Sequence, residues 1–282
     1  MTTSLSPHLV DRYRSEGILH PLPVMPDSEI SALRERYMAN SDIFKGRNNQ
    51  KPHLLFTWLD QLVRDPRILD AVESLHGPNL LCWGAQFFAK PPGDDAYVSW
   101  HQDATYWGLS SHDVVTAWVA FTPSIAASGC LQVVPSTHRS QVAHEDHFDD
   151  ANLLSRGQEI AVKVEQGSVV NVELQPGQMS LHHVLLFHGS EPNRAEFPRV
   201  GYAIRYIPTH VRQLSPIRDS ALLVRGRDDY GHFDAERSPV VDMDPAALAC
   251  HADATDRQLR ILYAGAQERG KLNPARKGSG PA

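Results

Sequence analysis

The sequence predicts a mainly β fold with flanking helices (α+β), built as a sandwich or jelly roll. Three observations carry this. Short runs rich in β-branched and aromatic residues fill the middle of the chain, Pro, Gly, Asn and Asp divide them, and helical periodicity is confined to the two ends. Few long strand-helix-strand alternations occur, which disfavours a doubly wound sheet. With 282 residues, 41% of them hydrophobic, the chain has ample material for one large core and is read as a single domain over 1–282.

Residues 1–79 read as a helical preface. Ser6-Pro7 before Leu9, Val10 and Tyr13, closed by Gly17, supplies a cap, a first-turn proline, an apolar stripe and a terminating glycine. Ile30, Leu33 and Tyr37 after Ser28 suggest a second helix. Asp65-Pro66 opens a third, in which Ile68, Leu69, Val72 and Leu75 recur at helical spacing before Gly77-Pro78. The period then shortens. Segments 81–89, 114–121, 129–134, 159–164, 179–187 and 199–207 read as strands of a core spanning 80–207. Charged residues dominate 208–244, read as a loop or lid, and 136–156 is likewise too long for a tight turn. A C-terminal helix over 245–268, with Leu248, Leu259, Leu262 and Tyr263 as its apolar contributors, precedes a polar, flexible tail over 269–282.

Charge and composition exclude several roles. Lys and Arg number 27 against 33 Asp and Glu, a formal charge of −6, and no basic run supports a hold on nucleic acid or an anionic membrane. No basic start with an apolar block opens the chain, and no apolar stretch is long enough to span a bilayer, so a cytoplasmic protein is expected. Cys82, Cys130 and Cys250 are scattered without a C-x-x-C pair and fit reduced thiols. Fifteen histidines stand out.

His101 and Asp103 lie two apart in the segment 97–103. On extended backbone, side chains at i and i+2 share a face, so the two can grip one ion from one side. His188 ends an apolar run just before Gly189 and supplies a third donor. Two His and one Asp are the ingredients of the facial triad that holds non-haem Fe(II) and leaves coordination positions open. Arg199 opens the next strand, and a guanidinium turned inward there implies an anionic partner.

The His101-Gln102-Asp103 segment, the Ala117-Trp118 strand, the stretch from Gly129 to His138, and His188-Gly189-Ser190 with Asn193 and Arg199 together resemble the phytanoyl-CoA dioxygenase family of Fe(II)/2-oxoglutarate oxygenases. The resemblance covers about 80–207 and implies a double-stranded β-helix, the cupin-like form of jelly roll. It implies His101, Asp103 and His188 as iron ligands, Arg199 as partner of the distal carboxylate of 2-oxoglutarate, and Trp118 and Ser190 beside that cosubstrate. It also implies O2 as second cosubstrate, with decarboxylation to succinate and CO2 coupled to substrate oxidation. Halogenating relatives replace the carboxylate of H-x-D by a small residue; Asp103 therefore favours hydroxylation or a related oxidation.

Strand parity adds further residues. Thr116 shares a face with Trp118, and Gln86 and Lys90 share a face of the preceding strand directed at the same cavity. Counting by twos from Arg199 reaches Arg205, a second inward charge suited to an anionic or zwitterionic small molecule. The same count from His188 reaches His182 and not His183. Tyr106 supplies an aromatic wall or packs the barrel. The expected activity is oxidation of a small polar metabolite or natural-product intermediate. A non-catalytic metabolite-binding jelly roll, or a zinc-dependent hydrolase using the same ligands, is the alternative. Oligomeric state is not legible.

Overall fold

A computed structural model describes residues 4–266 and 270–274. The chain runs through α1 (Pro7–Glu16), β1 (Ile18–Pro23), α2 (Asp27–Ala39), α3 (Thr57–Val63) and α4 (Pro66–His76) before the central strands. These are β2 (Leu80–Lys90), β3 (Val98–His101), β4 (Val115–Ala120), β5 (Leu131–Val134), β6 (His144–Asp146), β7 (Gln158–Ile160) and β8 (Val170–Val172). Next come β9 (Gln178–His183), β10 (Phe187–Ser190), β11 (Arg199–Pro208), β12 (Ser220–Arg225) and β13 (Asp234–Ala235), and α5 (Pro245–Leu262) closes the order. A seven-stranded sheet ordered β1-β9-β4-β11-β2-β12-β13 faces a four-stranded sheet ordered β3-β10-β5-β8, with β6 and β7 forming a separate ribbon. This is the predicted jelly roll.

The capped helices form where the sequence signals lie. Ser6 accepts from the Leu9 backbone N–H, Asp65 from that of Arg67, and Gly17 ends α1 at φ 78°. Their apolar stripes bury against one face of the large sheet. There Ile30, Ile68, Leu69 and Val72 share a core with Val119, Leu181, Tyr202 and Ile204. Each fully buried aliphatic side chain contributes roughly 1.5–3 kcal/mol. An aromatic cluster ties the layers together, with Phe87 4.5 Å from Tyr202 and 4.6 Å from Tyr37 between ring centroids.

The opposite face of the same sheet looks into the space between the two sheets. On β4 and β11 the alternation is strict: Val119, Tyr202 and Ile204 point to the helices, while Thr116, Trp118, Arg199 and Ala203 line the interior. Cross-strand register sets Thr116 opposite both Arg205 and His182, and Trp118 opposite Ala203.

Several segments differ from the sequence reading. The preface contains β1, an edge strand whose Ile18 and Leu19 are buried against β9. Its two prolines mask it in sequence, yet an edge tolerates them. It also contains α3, unsignalled before the fold. The 208–244 stretch contributes β12, which pairs with β2. Glu236 there is buried and accepts from Lys51 Nζ at 2.5 Å, and Lys51 also donates to the Ser220 carbonyl, so this segment is anchored in the core. The strand read over 159–164 is Gln158–Ile160 alone, and the run 179–187 breaks at 184–186 into β9 and β10, which belong to different sheets. The helix expected over 245–268 ends at Leu262, and most of the expected tail lies outside the described residues. Among the described residues the cysteines are free thiols, and no helix is long and apolar enough to cross a membrane.

Three histidines away from the inter-sheet space are held neutral by burial. His76 and His251 are pushed down to about 4 and His183 to about 3. An unfolded chain takes up protons at these positions near pH 6.5 while the fold does not, so stability is full above that pH and falls as pH drops toward 4. The melting temperature should therefore decline between pH 6.5 and 5. A flat melting curve across that range would contradict the assignment.

Candidate metal centre

The site is built where the small sheet crosses the large one. β3 ends at His101, Gln102 stays extended at φ −116° and ψ 134°, and Asp103 begins a 3-10 turn, so His101 and Asp103 turn to the same side. β10 runs antiparallel to β3 with His188 opposite His101, and their ring centroids are 4.0 Å apart. His101 Nε2 lies 3.5 Å from Asp103 Oδ1, and His188 Nε2 lies 3.9 Å from Asp103 Oδ2. One donor atom from each of the three falls within 4.8 Å of the others, and all three residues are buried.

Both imidazoles are oriented by the backbone. His101 Nδ1 is 2.9 Å from the Ser99 carbonyl and His188 Nδ1 is 2.8 Å from the Leu186 carbonyl. A carbonyl only accepts, so each Nδ1 carries the proton and each Nε2 presents its lone pair to the shared space. Burial pushes the Asp103 carboxyl up, but the two imidazoles facing its oxygens and the Arg205 guanidinium outweigh it and hold the group well below the usual carboxylate range. Burial lowers His188 far below an ordinary imidazole. Two imidazole nitrogens and one carboxylate therefore converge, a donor set suited to a divalent metal. Gln102, between the ligating candidates, turns away and donates to the carbonyls of Ser140 and Leu185.

Beside this triad a small cavity lies between the sheets, lined by Thr116, Trp118, His182, Ser190, Arg199 and Arg205, among others. Arg199 is buried at 2% exposure; among the described residues it has no carboxylate partner and its Nε has no hydrogen bond. Its Nη1 and Nη2 reach only the Phe88 carbonyl and Ser190 Oγ, each at 3.4 Å. Burial lowers it to about 10, and its guanidinium sits 5.5 Å from the Trp118 ring centroid. Thr116 Oγ1, His182 Nδ1 and Arg205 Nε are also buried without partners. Orphaned polar atoms are uncommon in native interiors, and their concentration here fits a polar, anionic ligand.

The remaining sequence-derived residues divide. His182 lies on the cavity wall, its ring 4.9 Å from that of His188 and its pKa pushed by burial to about 4. Parity carried through 182–188 is not the cause, because the strand breaks between them; the two face each other from opposite sheets. Lys90 is on neither cavity wall. Its Nζ stands behind Ser190, donating to Ser190 Oγ at 2.7 Å, and burial together with Arg199 lowers it to about 6. Gln86 and Tyr106 line a second, larger cavity of about 580 Å³ that meets the first at Asp103 and Arg205. Tyr106 donates to Asp146 Oδ1 at 2.7 Å beneath the Arg156 guanidinium, 4.0 Å above its ring.

The structural roles of two positions, Gly201 and Asn193, escaped sequence reasoning. Gly201 lies under Trp118, and a Cβ there would stand 1.8 Å from the indole, so only glycine lets this ring cover β11. An isolated glycine in a strand is the signal that could have marked it. Asn193 Nδ2 lies within 3.0 Å of the carbonyls of Lys90, Pro91 and Phe197, which fixes the loop from β10 to Arg199.

The family model described as Phytanoyl-CoA dioxygenase (PhyH) matches residues 13–201. A probable alpha-ketoglutarate-dependent hypophosphite dioxygenase of Stutzerimonas stutzeri is 28% identical over 165 residues, 56% of this chain and 57% of its own. The ectoine dioxygenase of Bordetella parapertussis is 24% identical over 235 residues, 72% and 75% of the two chains. The chain spans 57%, 58% and 48% of the first three curated relatives it matches. Among solved structures, the apo form of ThoJ, a non-heme monooxygenase, superposes with a TM-score of 0.81 at 34% identity, covering 93% of this chain and 100% of its own. CytC3 with Fe(II) and alpha-ketoglutarate superposes with a TM-score of 0.63 at 26% identity over 84% of this chain and 95% of its own.

The Gly201 contact is directly testable. Gly201→Ala should expel the Trp118 indole from its seat and cost about 1–3 kcal/mol through overpacking. Near-UV circular dichroism and denaturant titration check this; an unchanged spectrum and midpoint would show that the ring is not held there.

Proposed function

Because this chain belongs to the phytanoyl-CoA dioxygenase family and its structural neighbour CytC3 is solved with Fe(II) and alpha-ketoglutarate, we propose that it hydroxylates, or otherwise oxidises, a small-molecule metabolite or natural-product intermediate at the His101/Asp103/His188 centre. In this reading His101 and His188 hold Fe(II) through Nε2 and Asp103 through its carboxylate, and Arg199 with Ser190 takes the distal carboxylate of 2-oxoglutarate. The observation that carries it is the pairing of an oriented, buried triad with a buried arginine that has no anion of its own.

When bound, Fe(II) and 2-oxoglutarate supply the reduction of O2 that makes C–H oxidation possible. The chain contributes placement and exclusion. The Ser99 and Leu186 carbonyls keep both imidazole lone pairs aimed inward, so the donors need no reorientation when metal arrives. Asp103, ionised across the physiological range, supplies the negative charge that a divalent ion needs. Arg199 fixes one end of the cosubstrate, and Trp118 covers that slot against water. Thr116, opposite Arg205 on the neighbouring strand, and His182 offer polar atoms without partners to whatever enters. Asp103 occupies the ligand position that a halogenating relative would leave open, which supports oxygenation over halogenation.

Anaerobic Fe(II) with 2-oxoglutarate should give a weak visible charge-transfer band in the native protein. His188→Ala should lose the iron and the band. Arg199→Gln should weaken 2-oxoglutarate binding about 10- to 100-fold, equivalent to ~1.4–2.7 kcal/mol. Succinate release should require Asp103, so Asp103→Gly should abolish native oxidation. A native protein with no band, or Asp103→Gly with undiminished hydroxylation, would refute the assignment.

A further inference from the structure

The larger cavity carries information about substrate that the triad does not. Its volume of about 580 Å³ lies within the range of pockets that enclose drug-sized ligands. It opens onto the triad through Asp103 and Arg205, which line both cavities. Much of its wall is apolar: Trp83, Trp107, Phe88, Leu153, Leu154 and Leu262 contribute. Trp83 and Trp107 stand with ring centroids 4.9 Å apart, and Trp83 is held in place by donating Nε1–H to Asp219 at 2.7 Å. Its polar atom is thus engaged away from the cavity.

Charge is distributed unevenly over this wall. Lys45 at the rim pairs with Asp42 at 2.6 Å, and Lys271 lies 3.6 Å from Asp150. Arg205 differs. Among the described residues its guanidinium makes no hydrogen bond and no salt bridge, its Nε is buried without a partner, and its contact is the Trp107 ring, 5.2 Å from the centroid. Asp103 is the carboxylate that acts on it most strongly, but Asp103 lies beyond salt-bridge distance and directs its oxygens at His101 and His188. A guanidinium with free N–H donors, its Nε buried and an aromatic face beside it, is an anion seat.

We propose that the substrate is an organic anion with an extended apolar body, its carboxylate, phosphate or phosphonate held by Arg205 and its body laid along the Trp83/Trp107 wall. This rests on the oxygenase reading above and deepens it: a head group at Arg205 is delivered beside Asp103, so the carbon next to the anion comes closest to the metal centre. A small, uniformly polar metabolite would leave the indole wall unfilled.

Anaerobic calorimetry on protein loaded with Fe(II) and saturating 2-oxoglutarate, so that Arg199 is already engaged, tests the proposal with 4-biphenylacetate, the neutral 2-(4-biphenylyl)ethanol, and acetate. The charge-transfer band is recorded on the same samples. Native protein should bind 4-biphenylacetate at least tenfold more tightly than either the alcohol, which lacks the charge, or acetate, which lacks the body. Arg205→Gln should reduce the preference over the alcohol to within about twofold, and Arg205→Lys should restore part of it. Native protein that forms the band but binds the acid and the alcohol alike would overturn this proposal alone, without any variant being needed. A preference unchanged in Arg205→Gln, accompanied by a shifted band, would assign Arg205 to Asp103 and overturn it too. Absence of the band in native protein would instead remove the oxygenase reading, and this proposal with it.

Discussion

Charge in a desolvated slot is the constraint on which the rest of this structure depends. Between its two sheets the protein places a buried carboxylate, two buried imidazoles and the buried Arg199 guanidinium, with Arg205 beside them. Burying an unpaired charge is costly, and neither arginine finds a salt-bridge partner among the described residues. The fold tolerates this because the surrounding apolar layers are extensive, with the helices and large sheet sharing one core around Phe87 and Tyr202. A ligand that supplies negative charge completes the slot, which is why the folded chain is ready for one before it arrives.

Preorganisation follows from backbone register. The carbonyls that fix both histidine tautomers belong to Ser99, on β3, and Leu186, in the break just before β10, so the orientation of the donors is set by secondary structure and not by flexible side chains. Asn193 then locks the short connection from β10 to β11, which holds the distance between His188 and Arg199. The candidate metal triad and the unpaired Arg199 guanidinium are in this way two ends of one hairpin-like path. The division into two cavities, meeting at Phe88, Asp103 and Arg205, sets the space beside Arg199 apart from the larger chamber.

Some of this was legible because strand alternation is a local rule. On the uninterrupted β11, counting by twos from Arg199 correctly reaches Arg205, and on β4 it reaches Thr116 from Trp118. The same rule gave His182 by an invalid route, since residues 184–186 form a turn and carry the chain from one sheet to the other. On β2 it put Lys90 and Gln86 on one face, yet the end of that strand passes behind Ser190 while its middle opens into the larger chamber, so the two side chains have different surroundings. The loop or lid expected over 208–244 is corrected for a similar reason: charged neighbours hide β12, and Glu236 is buried against Lys51, 185 positions away.

By itself, the sequence determined the jelly-roll class, the His101/Asp103 pair, the caps of α1 and α4 and the family resemblance, because each depends on spacing within a few residues or on a motif read in order. Tertiary structure alone decided that His188 lies against His101, that Arg199 and Arg205 lack anions, that Gly201 makes room for Trp118, and that an aromatic chamber adjoins the metal centre. Those facts rest on pairings between strands distant in sequence and on what burial leaves unsatisfied, and neither desolvation nor cross-sheet contact is encoded at any single position.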